Sequence, residues 1–285
     1  MKQAVLVIGN GKSDVLQQTI NILDDKDIDF IIYWDAKDNL PSLSSIESNI
    51  YFVESRKKIF WGTDTQIIAE RELMKYALEL GIEYSFMHLI SSKDIPLMEK
   101  GYFKEYFNEK QLDHIGFVNN LRQEDTNRVK FYYPIRYINV RNNFGQKIIK
   151  LITKINKILR VDRLSHGIKV EKGTNWFSIS KKSVKKIVDF PNFKMFMNSY
   201  LGDEIYIQTI LSNYKNKYKN KYDDNKMAGR LIDWKRGTPY VFSKKDVPYL
   251  KDKMNTVFAF ARKVEDPSVP KMVFDANKSK DATTN

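Results

Sequence analysis

The hydrophobic positions in the first half of the chain alternate between continuous apolar runs and helical spacing. The continuous runs, typical of strands buried on both faces, lie at residues 4–9, 30–35, 50–53, 86–90 and 114–118. Between them, residues 14–23 and 65–80 carry apolar side chains at the intervals of an amphipathic helix. Strands that alternate with helices predict right-handed βαβ units, and hence an α/β domain with a central, mostly parallel mixed sheet flanked by helices.

The second half of the chain has a different pattern. Residues 121–141 are polar and irregular, and residues 147–161 have the spacing of a basic amphipathic helix. Further elements are predicted at 173–180 (strand), 181–190 (helix), 202–211 (helix), 230–234 (strand) and 245–254 (helix). We therefore predict a single domain over residues 1–276 with a basic helical insertion at about 121–172, followed by a flexible polar tail at 277–285.

Composition narrows the classes of protein. The chain has 285 residues, of which 42% are hydrophobic and 13% aromatic, which excludes an intrinsically disordered protein. It has no cysteine, which excludes a disulfide scaffold, a zinc site with cysteine ligands and a cysteine nucleophile, and which fits a reducing compartment. Lys and Arg outnumber Asp and Glu by 48 to 35, giving a net charge of +13. This excess permits nucleic acid, an anionic membrane surface or a phosphate-rich substrate as partner.

Neither a signal peptide nor a membrane span is predicted. The first apolar run ends at Gly9 without a small-residue cleavage site, so a buried first strand is the better interpretation. No apolar stretch approaches the roughly 18 residues of a transmembrane helix. We therefore expect a cytoplasmic protein.

The residues that commonly hold a metal are scattered. His88, His114 and His166 lie far apart, and His88, inside an apolar run, is predicted to be a hydrogen-bonded interior residue. The Asp-x-Asp pairs of residues 25–29 precede a strand and are predicted to be turn residues. A P-loop is excluded because Leu6 occupies the position of its first glycine. We therefore predict no metal site, and expect lysines and arginines to neutralise any bound diphosphate.

Five segments, in order, resemble the core-2/I-branching N-acetylglucosaminyltransferases and peptide O-xylosyltransferases of glycosyltransferase family 14. They are FIIYWDAKDN, IFWGTDTQIIAERELMKYAL, FMHLISSKDIPLMEK, GTNWFSISKKSVKKIV, and a C-terminal region with YLGDEIYIQTIL, DWKRGTPYVFSKKDVPYLKD and FAFARKV. The resemblance covers roughly residues 1–266. It implies a GT-A-like nucleotide-sugar-binding fold and an inverting transfer from a UDP-sugar without a metal.

The resemblance places the family's catalytic glutamate at Glu204. Inverting transfer needs one base that takes the proton of the acceptor hydroxyl while its oxygen attacks the anomeric carbon. From the residues alone, a first-turn acid that favours the helix dipole is the better interpretation of Glu204, and it is the resemblance that favours the base. Asp203 is expected to contact the substrate. It is also expected to cap the helix that follows and not to act as a second catalytic acid.

Two basic pairs are candidates for the donor diphosphate. Arg262 and Lys263 match the family's diphosphate-binding segment, and an adjacent guanidinium and ammonium supply forked and point-charge donors. The alternative is an exposed basic pair. Lys235 and Arg236 are second candidates, with surface charge as an equally good interpretation.

Further candidates come from strand ends and aromatic residues. Asp35 ends a strand at the carboxyl edge of the sheet, where ligands bind in open α/β folds and where the family places uridine contacts. Asp94 matches the family's sugar-binding block, with a turn residue as the alternative. Trp176 fits an aromatic residue on the acceptor side, with a core residue as the alternative. Trp61 and Gly62 are predicted to form a tight turn with a buried indole.

Taken together, these features predict a transferase for surface polysaccharide synthesis. The donor would be a UDP-sugar, first of all one that gives a β-linked N-acetylglucosamine, with galactose, galactofuranose and xylose left open. The acceptor would be a glycan hydroxyl, and no cofactor is expected. The composition, rich in Lys, Asn and Ile, favours a bacterial protein. Nucleic-acid binding is the alternative class, but no RRM, KH or OB signature supports it, so no nucleic-acid partner is predicted. A binding-only pseudo-enzyme is disfavoured because Glu204 and Arg262 are both present.

The helix at 147–161 is not explained by the resemblance. Its apolar stripe is flanked by Lys147, Lys150, Lys154, Lys157 and Arg160. This composition suits a helix on an anionic membrane surface, which would put the protein at the inner face of the plasma membrane with a lipid-linked glycan as acceptor. The alternative is a core-packed helix with a solvated basic side.

Overall fold

The computed structural model describes residues 1–110, 112–164, 167–218 and 223–275. Its strands are β1 (Lys2–Gly9), β2 (Ile28–Trp34), β3 (Ile50–Phe52), β4 (Tyr84–Ser91), β5 (Asp94–Pro96), β6 (His114–Ile115), β7 (Phe177–Ser180), β8 (Arg230–Ile232) and β9 (Phe260–Arg262). Its α-helices are α1 (Asp14–Leu23), α2 (Asp64–Glu79), α3 (Lys100–Lys110), α4 (Gln123–Lys130), α5 (Asn143–Ile158), α6 (Lys181–Val188), α7 (Tyr206–Ile210), α8 (Asp224–Met227), α9 (Val247–Asp252) and α10 (Ser268–Asp275). Short 3₁₀ turns lie at Phe193–Phe196, Gly202–Glu204, Ser212–Tyr218 and Lys244–Asp246.

The central sheet has six strands in the order β3-β2-β1-β4-β7-β6. Strands β1 to β4 are mutually parallel, while β7 runs antiparallel to both of its neighbours. The predicted α/β fold with a mostly parallel mixed sheet is therefore confirmed. The strand predicted at 173–180 begins only at Phe177, where its pairing with β4 begins. The strand predicted at 114–118 keeps only His114 and Ile115, the two residues that pair with β7.

Strand β1 is buried on both faces, which is why its sequence is a continuous apolar run. Ala4 and Leu6 face one hydrophobic cluster, which also contains residues of α2, whereas Val5 and Val7 face a second cluster with residues of α1 and α3. All four side chains are fully buried. Each such burial contributes roughly 1.5–3 kcal/mol for a side chain of valine or leucine size, so both faces of the sheet hold the core together.

A second, smaller sheet has the order β5-β9-β8. Strand β9 runs antiparallel to β5 and parallel to β8, and its register sets Arg262 opposite Asp94. The apolar cluster beside this sheet contains Phe242, Leu250 and Val273, and it fixes the C-terminal segment against the main domain. The predicted strand 230–234 is observed as Arg230–Ile232, whereas β9 was not predicted.

The region between α4 and β7 contains a small cluster of its own. Phe131, Tyr133, Ile135 and Val140 pack with Ile149 of α5. The predicted helix 147–161 is observed as Asn143–Ile158 because the side chain of Asn142 accepts a hydrogen bond from Gly145 N at 2.7 Å and so caps it earlier. Across the described residues, every helix is too short or too polar to cross a membrane.

His88 is an interior residue, as predicted. It is fully buried, and its Nε2 lies 3.2 Å from Gln3 Oε1. Burial, with the neighbouring Arg230 charge, holds the pKa of His88 well below its usual range. His166 and the tail predicted at 277–285 lie outside the described residues.

Candidate active site

A cleft of about 1050 Å³ opens at the carboxyl ends of β1, β2 and β4. Gly9, Asp35 and Ser91, at or just after the ends of these strands, line it, as expected for a ligand site in an open α/β fold. The lining also carries three tryptophans and seven basic side chains, which are Trp61, Trp176, Trp234, Lys37, Lys93, Arg128, Arg141, Lys172, Arg262 and Lys263. Its carboxyl groups are Asp35, Asp203, Glu204 and Asp224. The surplus of positive charge favours an anionic ligand.

Glu204 ends the short 3₁₀ turn that precedes α7. Its Oε2 accepts a hydrogen bond from Arg128 Nη1 at 2.7 Å, and Lys172 Nζ lies 3.7 Å from the same oxygen. No described residue donates a hydrogen bond to Oε1, and the side chain is 34% exposed. Arg128 thus holds one oxygen of the carboxylate by a hydrogen bond, and Lys172, which donates to Asp125 Oδ1 at 3.0 Å, adds positive charge beside it. This arrangement is more specific than the plain first-turn acid that the sequence also allowed.

Asp203 and Glu70 form a buried carboxyl pair behind Glu204. Gln66 Nε2 donates to Asp203 Oδ2 at 3.0 Å and lies 3.4 Å from Glu70 Oε1, and the Tyr206 hydroxyl donates to Glu70 Oε2 at 2.7 Å. Burial, and then the charge of Glu204, raise the pKa of Asp203 to about 7. Burial, and then Asp203, raise the pKa of Glu70 to about 8. Each carboxyl therefore disfavours ionisation of the next.

Asp203 lines the cleft, but the prediction that it caps a helix is wrong. It lies inside the 3₁₀ turn, its carboxylate accepts from Gln66, and α7 begins without a side-chain cap. The physical reason is that Gln66, on α2, projects toward the turn and provides a donor that the sequence pattern does not reveal.

Arg262 is held by three contacts at the wall of the cleft. Its Nη1 donates to Asp94 Oδ1 at 2.8 Å and to Ser91 Oγ, and its guanidinium lies 4.2 Å from the centre of the Trp176 ring. Ser91 N donates in turn to Asp94 Oδ2 at 2.7 Å. Trp176 and Arg262 both line the cleft. Trp176 is only 7% exposed, belongs to the main hydrophobic cluster and has one face of its indole against the guanidinium, so its role on the acceptor side stays a prediction.

Asp94 does not line the cleft, contrary to the direct sugar contact that the sequence suggested. It is 1% exposed and lies beneath Arg262 in the paired strands β5 and β9. Because its carboxylate already accepts from Arg262 and Ser91, its role in this geometry is to position the guanidinium.

Lys263 and Lys93 form a cationic edge beside Arg262. Both line the cleft, and both Nζ atoms donate to Glu265 Oε1, at 3.1 Å and 2.8 Å. Hydrogen bonds from Lys93, and then from Lys263, lower the pKa of Glu265 to about 2. One carboxylate thus balances part of the charge of two lysines, and the remaining positive charge faces the cleft.

Asp35 lines the cleft at the end of β2, where the sequence placed it. Its Oδ1 accepts from Lys37 N at 2.9 Å and Ile59 N at 3.2 Å, and its Oδ2 lies 3.0 Å from Lys37 Nζ. The carboxylate therefore organises the loop after β2, and a uridine contact by Asp35 stays a prediction.

Lys235 and Arg236 do not line the cleft, so the geometry does not bring this pair to the site. Arg236 Nε donates to Asp233 Oδ2 at 2.6 Å and its Nη1 to Asp246 Oδ1 at 3.0 Å. Both partners are close to Arg236 in sequence, so its guanidinium packs within this local segment and not against the cleft. Trp234, 53% exposed, reaches the cleft instead.

The sequence interpretation missed Arg128, Lys172 and Arg141, which come from the region it treated as an insertion. Arg128 and Lys172 hold Glu204, and Arg141 covers the ring of Trp61 at 4.4 Å. The indole of Trp61 is 42% exposed and lines the cleft, so the predicted buried indole is wrong. The predicted tight turn is confirmed, since Gly62 has φ +73°, the region that favours glycine. The run of residues 126–161, which has nine Lys and Arg and no Asp or Glu, is the sequence signal that could have drawn attention to Arg128 and Arg141.

Among the described residues, no group of three or more His, Asp or Glu side chains is close enough together to bind a metal ion. The two literal Asp-x-Asp pairs, Asp25–Asp27 and Asp27–Asp29, lie away from the cleft lining, where Asp25 and Asp27 contact Lys104 and Asp29 contacts Lys2.

Comparison with known families assigns the chain. A family model described as core-2/I-branching enzyme matches residues 4–251, and the chain belongs to this family. The protein is therefore a glycosyltransferase, which uses a nucleotide-sugar donor and a glycan acceptor, and its mixed α/β architecture is consistent with a GT-A-like fold. No individual curated protein matches the chain.

The matched range includes Glu204, Asp35 and Trp176 but ends before Arg262 and Lys263. The resemblance expected from the sequence extended to about residue 266. The assignment of the last two residues to the site therefore rests on the geometry of β9, which brings them to the cleft beside Asp94 and Trp176.

Proposed function

We propose that the protein is an inverting glycosyltransferase that needs no metal and moves a sugar from a UDP-sugar to a hydroxyl of a glycan acceptor. The observation that carries the proposal is a cleft lined by the partly exposed carboxylate of Glu204, whose Oε1 accepts no hydrogen bond from a described residue, and by the positive charges of Arg262 and Lys263. Inverting transfer needs one base and a stabilised leaving group. Both kinds of group are present in this cleft.

Arg262 and Lys263 are proposed to neutralise the donor diphosphate. Nη1 of Arg262 is used by Asp94, and its remaining nitrogens can donate to phosphate oxygens, while Lys263 adds a point charge. Stacking on Trp176 restricts the guanidinium before ligand arrives, which lowers the entropic cost of binding. This charge would stabilise UDP as it leaves and would take the place of a divalent ion.

Glu204 is proposed as the catalytic base. The acceptor oxygen forms a bond to the anomeric carbon as the bond from that carbon to the β-phosphate oxygen breaks, which inverts the anomeric centre. The hydroxyl proton passes to Glu204 Oε1, and UDP leaves with the bonding pair. Arg128 and Lys172, which hold Oε2, fix the direction of Oε1 and act as positioning residues.

The donor sugar is proposed to be N-acetylglucosamine, transferred with a β linkage, because the matched family is that of the core-2/I-branching enzymes. UDP-galactose, UDP-galactofuranose and UDP-xylose are the alternative donors. The acceptor is proposed to be a lipid-linked glycan in the synthesis of a bacterial surface polysaccharide, elongated in the cytoplasm at the inner face of the plasma membrane. The exposed basic helix α5 supports this location.

The proposal predicts separate effects on turnover and binding for Glu204→Gln. Loss of a general base lowers the transfer rate by about 10²–10⁴-fold, while UDP affinity should stay within a few-fold. The measurement is product formation from UDP-N-acetylglucosamine with oligosaccharide acceptors, alongside a calorimetric UDP titration of the same protein.

Asp203→Asn is the matched control, because it makes the same chemical change at the neighbouring position. Since Asp203 faces Gln66, its effect on turnover should be much smaller than that of Glu204→Gln. Full activity of Glu204→Gln would show that Glu204 is not the base.

A further inference from the structure

Helix α5 carries an apolar stripe that no other part of the described chain covers. Its buried positions are few, namely Gly145, Ile149 and Asn156. On another side, five large apolar residues of the helix and its C-terminal end are between 45% and 69% exposed: Phe144, Leu151, Ile155, Ile158 and Leu159. A protein surface rarely exposes such a contiguous apolar row without a partner.

One edge of this stripe is basic. Lys147, Lys150, Lys154 and Lys157 are all exposed, and none forms an ion pair with a described residue. No Asp or Glu occurs between residues 126 and 161, which include nine Lys and Arg residues. The surface therefore combines exposed apolar side chains with positive charge that no nearby carboxylate balances.

The stripe begins at the mouth of the active-site cleft. Arg141 lines the cleft and stacks on Trp61, and the next residue, Asn142, caps α5. Phe144, the first exposed apolar residue of the stripe, lies within one turn of that cap. A surface that contacts the stripe would thus lie beside the opening through which an acceptor must enter.

We propose that α5 docks on an anionic lipid bilayer, with its apolar stripe in the headgroup region and its lysines on the lipid phosphates. Charge complementarity selects this partner. A second copy of the chain would bring like-charged lysine rows together, whereas an anionic bilayer satisfies both the apolar and the basic side chains. At 16 residues and with a lysine row, α5 is suited to lie in the plane of the interface rather than to cross the bilayer.

The docking itself does not depend on the reaction. Its consequence does rest on the proposed function, since docking by α5 would hold the cleft mouth at the lipid surface and select a glycan acceptor attached to lipid. The experiment must therefore measure vesicle binding and UDP binding separately on the same protein.

The test is co-sedimentation of the full chain with phosphatidylcholine vesicles, with and without phosphatidylglycerol. One variant, Leu151→Ser with Ile155→Ser and Ile158→Ser, removes the apolar stripe. A second, Lys147→Gln with Lys150→Gln and Lys154→Gln, removes three charges from its edge. The matched control removes three exposed lysines from α6, Lys182→Gln with Lys185→Gln and Lys186→Gln, which carry the same charge on a helix without an exposed apolar stripe.

We expect the unchanged protein to bind only the anionic vesicles, and more weakly at high salt. The lysine variant should lower the partition coefficient by about 100-fold, as three lysines at a membrane surface predict, and the apolar variant should lower it at least as far because it removes three apolar side chains from the headgroup region. The α6 control should change it less than threefold. Circular dichroism and UDP titration of each variant show that it is folded and that the cleft is intact.

Three results would overturn the docking proposal. These are no binding of the unchanged protein to anionic vesicles, equal losses in the α5 and α6 charge variants, or a dimer in solution that the apolar variant dissociates. In each case retained UDP binding would leave the proposed enzymatic function standing, while vesicle binding without UDP binding would remove the function and keep the docking.

Discussion

The environment of Arg262 is that of a ligand-binding cation and differs from that of an ordinary charged side chain at the surface. A guanidinium at an exposed site is mobile and hydrated, and an ion pair there contributes little. Here Asp94, 1% exposed, holds Nη1 at 2.8 Å, and the Trp176 ring supports the guanidinium face. Arg236 also binds carboxylates, but those lie in its own turn, away from the cleft. The two arginines therefore form a natural comparison.

We predict that Arg262→Gln weakens UDP binding in excess EDTA by about 10–100-fold, the range expected for lost hydrogen bonds to a charged group. Arg236→Gln, which makes the same change outside the cleft lining, should alter the UDP dissociation constant less than threefold. Calorimetric titration of both variants provides the comparison. Equal weakening by the two changes would indicate a general charge effect and would contradict the role given to Arg262.

At the scale of elements, the contact between α2 and the start of α7 buries a carboxyl network beside the site. Gln66 and Glu70 project from α2, and Asp203 and Tyr206 meet them from the other side. Glu70 and Asp203 are each no more than 5% exposed, and burial raises the pKa of each. A carboxyl that must stay protonated in the folded state makes stability depend on pH.

The direction of that dependence follows from Glu70. The unfolded carboxyl releases its proton near pH 4.3, whereas the folded one holds it to about pH 8. Between these values the folded state binds more protons, so the free energy of unfolding falls as pH rises. The Glu70→Gln variant has no carboxyl to ionise at this position and should not lose this stability. From pH 5 to pH 8, its free energy of unfolding should therefore rise relative to that of the unchanged protein by on the order of 1–4 kcal/mol.

Urea unfolding at pH 5 and pH 8 measures this difference. Glu79→Gln is the control, since Glu79 lies on the same helix but is 59% exposed in an i,i+4 pair with Lys75. Its stability should follow that of the unchanged protein at both pH values. Parallel pH dependence of the Glu70→Gln variant and the unchanged protein would contradict the buried, protonated carboxyl.

The elements that were predicted from the sequence share a local signal. Strands β1, β2 and β4 and helix α2 show their burial within one run of residues, because a strand buried on both faces or a helix with one apolar face is legible by periodicity alone. The pairing of β5 with β9 is different, since Asp94 and Arg262 are 168 positions apart. No periodicity reveals that contact, and so Asp94 was interpreted as a ligand contact and not as the partner of Arg262.

At the scale of the whole molecule, the cleft combines parts that are distant along the chain. The strand ends supply Asp35 and Ser91, the 121–172 region supplies Arg128 and Arg141, and the C-terminal sheet supplies Arg262. The family resemblance identified Glu204, but it could not show that two cations from the supposed insertion hold its carboxylate. The contribution of that region to the lining of the cleft therefore emerged only from the assembled fold.

The central claim is that lysine and arginine side chains, rather than a metal ion, bind the donor diphosphate. A calorimetric titration of the protein with UDP-sugars in excess EDTA, repeated with Mn²⁺, tests it most directly. We predict that one UDP-sugar binds with the same affinity in both buffers. Binding that requires Mn²⁺ would contradict the role of Arg262 and Lys263, and an absence of binding in both buffers would contradict a UDP-sugar donor.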